Sequence, residues 1–170
     1  MMEYNIEDCI LKSLIGDERN NALEFVAYLR ANKMTFERGA GYWEDKFYWL
    51  IKFQNEYVCF ILIGDSEDSG SPWTIWSDDS AYHWFEDFLL DEHMKETAWN
   101  QVDFCANCGS CSGGISKIIF GKAFDKVDNV CRTTFRFDNP SSKTVECAIK
   151  LMEIRKKDIE TNGDCIQKEG

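Results

Sequence analysis

The sequence predicts an α+β fold: a largely antiparallel sheet with a leading helix, a middle helix and a C-terminal helix packed on it. Three observations carry the prediction. Apolar residues recur at helical spacing near both ends of the chain, and alternating or continuous apolar runs fill the stretches between. The order is helix, three strands, helix, further strands and a closing helix, which segregates helices from strands and does not alternate them as a parallel sheet requires. One domain of 170 residues accommodates all of it.

The leading helix follows Gly16. Ala22, Phe25, Val26 and Leu29 share one face, with Asp17 placed to cap and Glu18 favourable in the first turn. Positions 1–15 are expected to fray. In 47–53 the odd positions Phe47, Trp49, Ile51 and Phe53 lie on one strand face, and Gln54, Asn55 and Glu56 turn the chain into 57–63. That second run is apolar at nearly every position, which fits a central strand covered on both faces and paired with its predecessor.

A polar loop over 64–72 leads to a short aromatic strand at 73–76. Ser80 then caps the middle helix, which carries Tyr82, Phe85, Phe88 and Leu89. Two more strands are read at 115–120 and 130–137, joined by a loop rich in Asp and Lys. Asn139 and Pro140 open the last helix as cap and first residue, and Val145, Ala148, Ile149, Met152 and Ile159 form its buried stripe. The polar tail, 161–170, is expected to fray.

Composition narrows the function classes. A formal net charge of -11 makes nucleic acid and anionic membrane surfaces poor partners, because phosphate binding relies on Lys and Arg. No apolar run is long enough to span a bilayer, and the start of the chain lacks the organisation of a signal peptide. A cytoplasmic setting is therefore expected. The eight cysteines are then reduced thiols, and a cluster of them points to metal or redox chemistry before disulfides.

Such a cluster stands at Cys105, Cys108 and Cys111, two Cys-x-x-Cys turns sharing their middle residue, with Gly109, Gly113 and Gly114 supplying backbone freedom. Structural zinc is the first expectation. Cys131 is the fourth ligand if a hairpin returns it beside the turn, although it also shares a strand face with Phe135 and Phe137 and so fits a small core residue. Lys117, Lys122, Lys126, Arg132 and Arg136 stand nearby against Asp125 and Asp128, a local cationic excess that suits a tetrathiolate zinc of net negative charge.

Other metal chemistry fits less well. An iron–sulfur cluster would want a fourth cysteine close by, and a thioredoxin-like site would open a helix where Gly113 and Gly114 stand. With only three thiolate ligands the zinc would keep an open, catalytic position, but a hydrolytic site needs a base. His83 and His93, the only histidines, are spaced for neither pairing nor ligation. Cys59 and Cys147 sit in apolar patterns and read as core, Cys9 and Cys165 are scattered, and the acidic stretch 65–70 lacks the terminal glutamate of a calcium loop.

Six tryptophans suggest a second site. Trp49 and Trp76 on strands, with Tyr42, Trp43 and Glu37 close in sequence, compose an aromatic cleft with an acidic residue, suited to an apolar or cationic small molecule. Core packing explains the same rings without a ligand. Tyr42–Trp43, the strand at 57–63 and the closing helix at 151–157 also resemble a family of small uncharacterised bacterial α+β domains. The resemblance implies a leading helix, a strand meander and a final helix, and no activity.

The reading that results is a cytoplasmic small-molecule-binding or sensing domain with structural zinc on Cys105, Cys108, Cys111 and Cys131. Its competitors are a zinc-dependent or thiol-based enzyme using the same cysteines and a protein-interaction module.

Overall fold

The structure, a computed structural model, describes residues 5–39, 47–64, 71–77, 90–104, 115–127 and 134–169. It is mixed α+β, as the sequence predicts. In chain order the described elements are α1 (Ile6–Ser13), α2 (Gly16–Ala31), β1 (Thr35–Arg38), β2 (Phe47–Phe53), β3 (Glu56–Ile63), β4 (Trp73–Ser77), α3 (Glu92–Trp99), β5 (Ile115–Ile119), β6 (Lys122–Val127), β7 (Arg136–Asp138) and α4 (Ser142–Glu169).

Five strands form one antiparallel sheet in the order β1-β2-β3-β4-β7, and β5 pairs with β6 in a separate hairpin. The apolar strand β3 is central, with β2 beside it. Its composition follows from a bulge: the register passes from Ile51↔Cys59 to Lys52↔Tyr57, leaving Val58 as the extra residue. Val58 and Cys59 are both fully buried in the core with Ile61 and Ile63, while Leu62, also buried, stands outside that cluster on the second sheet face.

Trp49, Ile51, Ile61, Trp73, Ile75 and Phe137 turn one sheet face toward the helices. α1 and α4 pack on β3, and α2 packs on both of those helices. Phe25 of α2 meets Trp73 at 6.4 Å between ring centroids. On α4, Val145, Ala148, Leu151, Met152 and Ile159 are buried, and full burial of each large apolar side chain contributes about 1.5–3 kcal/mol. Arg155, 3 % exposed, clamps the helix to the bulge: its Nε and Nη2 donate to the Tyr57 carbonyl at 3.2 and 2.9 Å, and its Nη1 pairs with Asp158 at 2.8 Å.

Several boundaries differ from the sequence expectation. The stretch expected to fray before residue 15 contains α1, closed by a capping box in which Asn5 and Asp8 exchange bonds, with Ile6, Cys9 and Ile10 buried. α2 starts after Ile15 and carries Asp17 within its first turn; Arg19 donates to the Leu11 and Leu14 carbonyls and so finishes α1 instead. β1 shows no apolar alternation in the sequence, because Glu37 and Arg38 interrupt it.

The later elements shift for similarly local reasons. The stretch 121–129, expected as a loop, supplies β6, reached through a tight turn at Phe120 and Gly121, whose φ values are 47° and 85°. Asn139 still bonds to Trp73 across the sheet, so α4 begins two residues later with Ser141 accepting from the Thr144 amide. The far end, expected to fray from 161, is helical to Glu169. The middle helix is α3, capped by Asp91, whose Oδ1 accepts from the Met94 amide at 2.8 Å. Residues 78–89, where the sequence places that helix, lie outside the described residues.

Candidate functional site

The region flanking the cysteines is built from α3 outward. Trp99 ends the helix half-buried and donates its indole N–H to the Ile119 carbonyl at 2.7 Å, fixing the tip of the β5–β6 hairpin. Phe120 in the hairpin turn stacks on Phe135 at 6.4 Å. After α3 the chain extends between hairpin and sheet. The Asp103 amide donates to the Thr134 carbonyl and the Arg136 amide to the Gln101 carbonyl, each at 2.8 Å. Isolated bridges join Val102 to Phe135 and Phe104 to Val127, and Val127 also pairs with Ile115.

The same contacts tie together the flanks of both segments that bear the cysteines. Phe104 and Ile115 flank 105–114, and both are partnered by Val127. Val127 and Thr134 flank 128–133, and they are partnered by the consecutive residues Phe104 and Asp103. All four flanks therefore meet at one place. Cys105, Cys108, Cys111 and Cys131 themselves lie outside the described residues. Among the described residues, no group of three or more His, Cys, Asp and Glu side chains gathers as a metal site. His93 is exposed on α3, and His83 lies outside the described residues.

The second expected site does not assemble in the same way. Trp49, 5 % exposed, points into the helix-covered core. Glu37 pairs with Leu50 on the opposite sheet face and forms a salt bridge with Lys52 at 3.0 Å. Trp76 shares that second face but stands on β4, three strands from β1, which is about 14 Å at ordinary strand spacing. Tyr42 and Trp43 lie outside the described residues. The structure thus brings together no two of Glu37, Trp49 and Trp76.

Near them the protein's own cations already lie over aromatic rings. Arg136 stands 5.5 Å from the Trp76 ring, Lys52 4.9 Å from Tyr57 and Arg38 5.8 Å from Trp49. A cationic ligand would have to displace them.

The cysteines that are described behave as core. Cys9, Cys59 and Cys147 are buried. Burial pushes the Cys147 thiol up to about 12, with the Asp91 charge adding to the shift, and burial likewise raises Cys9. Neither supplies an activated thiolate at neutral pH. Tyr28, its hydroxyl buried without a hydrogen-bond partner among the described residues, is also raised to about 12, by burial and by the Glu153 charge.

No family model matches the chain, and no curated protein or solved structure matches it at a significant level. Among the described residues no helix is long and apolar enough to cross a membrane.

Proposed function

We propose that the protein is a small-molecule-binding or sensing domain of the reducing cytoplasm, stapled by a structural zinc ion on Cys105, Cys108, Cys111 and Cys131. The reading is carried by the common anchorage of the two cysteine-bearing segments on Asp103, Phe104 and Val127. Cys105 follows Phe104 directly, and Cys131 is three residues from Thr134, a stretch that spans at most about 11 Å even when extended. Cys108 and Cys111 each stand four residues from a flank, Phe104 and Ile115, a reach of about 14 Å. Four thiolates on such short tethers suit tetrahedral zinc, and Lys126, next to Val127, favours its negative charge.

The need for a staple is physical. A two-stranded hairpin such as β5–β6 is marginal by itself. The ligand reading is supported by the half-buried rings Tyr48, Phe60 and Trp76 on the second sheet face. With Arg136 and Lys52 already over neighbouring rings, an apolar molecule suits that face better than a cationic one.

Metal analysis of protein purified without added metal tests the staple. One zinc per chain is expected, with a chelator exposing four additional thiols to a modifying reagent. Cys108→Ser should lose the metal and lower the melting temperature. Three protected thiols with an exchangeable fourth position would replace the staple with a catalytic zinc, and a brown, visibly absorbing sample would replace it with an iron–sulfur cluster. Metal-free protein whose four thiols react at once would remove the proposal.

A further inference from the structure

At the end of α2, an open groove of about 330 Å³ is lined by Asn32, Lys33, Phe53, Gln54, Lys156 and Glu160. Lys33 is one of several non-glycine residues with a left-handed backbone. Its φ is 62°. Its amide donates to the Arg30 carbonyl at 3.1 Å while the Met34 amide donates to the Leu29 carbonyl at 3.1 Å. This pair of bonds is a helix-ending turn that favours glycine at its left-handed position, because a side chain there is strained.

Attraction to the negative end of α2 is the ordinary reason for a lysine at such a place. Here three of its last four carbonyls are already satisfied. The Tyr28 carbonyl accepts from both the amide and the side-chain Nδ2 of Asn32, the Leu29 carbonyl from the amides of Asn32 and Met34, and the Arg30 carbonyl from Lys33 itself. The Lys33 side chain is exposed and makes no hydrogen bond or ion pair among the described residues.

Across the groove the Lys156 ammonium is held in place. Its Nζ donates to Asn32 Oδ1 at 3.2 Å, lies 5.3 Å from the Phe53 ring centroid and stands 3.8 Å from Glu160 Oε1. Two ammonium groups facing one carboxylate form a cationic concavity on a chain whose net charge is -11. We propose that this groove binds a small organic carboxylate, with its oxygens between Lys33 and Lys156 and its apolar body against the lysine stems and Phe53. The proposal stands on residues remote in sequence from the zinc cysteines and does not depend on them.

Benzoate and its neutral counterpart benzyl alcohol are the probes, titrated into the full-length protein and followed by amide NMR. Saturable shifts at Asn32, Lys33, Phe53 and Gln54 are expected with benzoate and not with benzyl alcohol. Lys156→Gln should weaken binding about tenfold, equivalent to about 1.4 kcal/mol. Lys33→Gly should weaken it similarly while raising the melting temperature, because glycine relieves the left-handed strain. That pairing of lost binding with gained stability separates a ligand role from a structural one. Equal responses to the two probes, no saturable shift in the millimolar range, or unchanged affinity in both variants would overturn the proposal.

Discussion

The five-stranded sheet and the β5–β6 hairpin are held by different means. The sheet shows its helix-covered face to three helices, and its central strand is buried from Val58 to Ile63 with only Phe60 partly exposed. The hairpin has two strands, leaves Ile118 and the neighbouring Phe104 about half exposed, and reaches the rest of the molecule through Trp99, Phe120 and the extended stretch before Cys105. Apolar area stabilises the first region, whereas a few directed contacts position the second. A metal staple has most to add in the second region, where the core is thinnest.

The largest test falls on the sheet. Replacing Arg155 by Met keeps most of the side-chain volume and removes both bonds to the Tyr57 carbonyl together with the pair to Asp158. Loss of a buried charge network of this kind costs about 3–5 kcal/mol. Urea denaturation should show the drop as one cooperative transition, since the clamp joins α4 to the central strand. A change under about 1 kcal/mol would show that the bulge is held by packing alone.

A pH experiment probes the boundary between the regions, where the Cys147 thiol of α4 faces the Met94 carbonyl of α3 at 3.8 Å. The ordinary thiol value is 9.0 and the folded value is raised to about 12. The unfolded chain therefore releases its proton first, and stability falls as pH rises through that window and is intact below it. Each unit within the window removes up to about 1.4 kcal/mol. Cys147→Ala should flatten the slope measured by urea denaturation at successive pH values; Tyr28, also raised to about 12, contributes a slope of the same sign that Tyr28→Phe removes. An unchanged slope in both variants would place the alkaline sensitivity elsewhere.

The same contrast governs what was legible in the sequence. β2, β3, β4 and the buried stripe of α4 were readable because dense apolar burial imposes periodicity, and the continuous run of β3 correctly implied a central strand. β6 was unreadable: Lys122, Asp125 and Lys126 face outward on a hairpin with one lightly buried side, so its pattern is that of a solvated loop. α1 is legible in hindsight, with Ile6, Cys9 and Ile10 at helical spacing behind Asn5, but its short length beside the chain start reads as a frayed end, whereas the Asn139 boundary is set by its bond to Trp73, which local sequence does not show. Of the aromatic cleft, Trp49 was misleading because a ring on an alternating strand gives the same pattern whether it faces a ligand or a core. The groove at Lys33 left no trace at all, since a left-handed lysine is visible only in backbone geometry.

The smallest test asks whether the two regions unfold together. Trp99→Phe keeps a ring in place but deletes the indole N–H that reaches the Ile119 carbonyl at 2.7 Å, and it weakens the contact with Lys122, whose Nζ lies 5.2 Å from that ring. About 1–2 kcal/mol should be lost. If the hairpin is positioned by directed contacts, hydrogen exchange will accelerate at the β5 and β6 amides while the amides of β2 and β3 keep their protection. Equal acceleration in both sets would instead make hairpin and sheet one cooperative unit, because loss of a single contact at the hairpin tip would then be felt throughout the core.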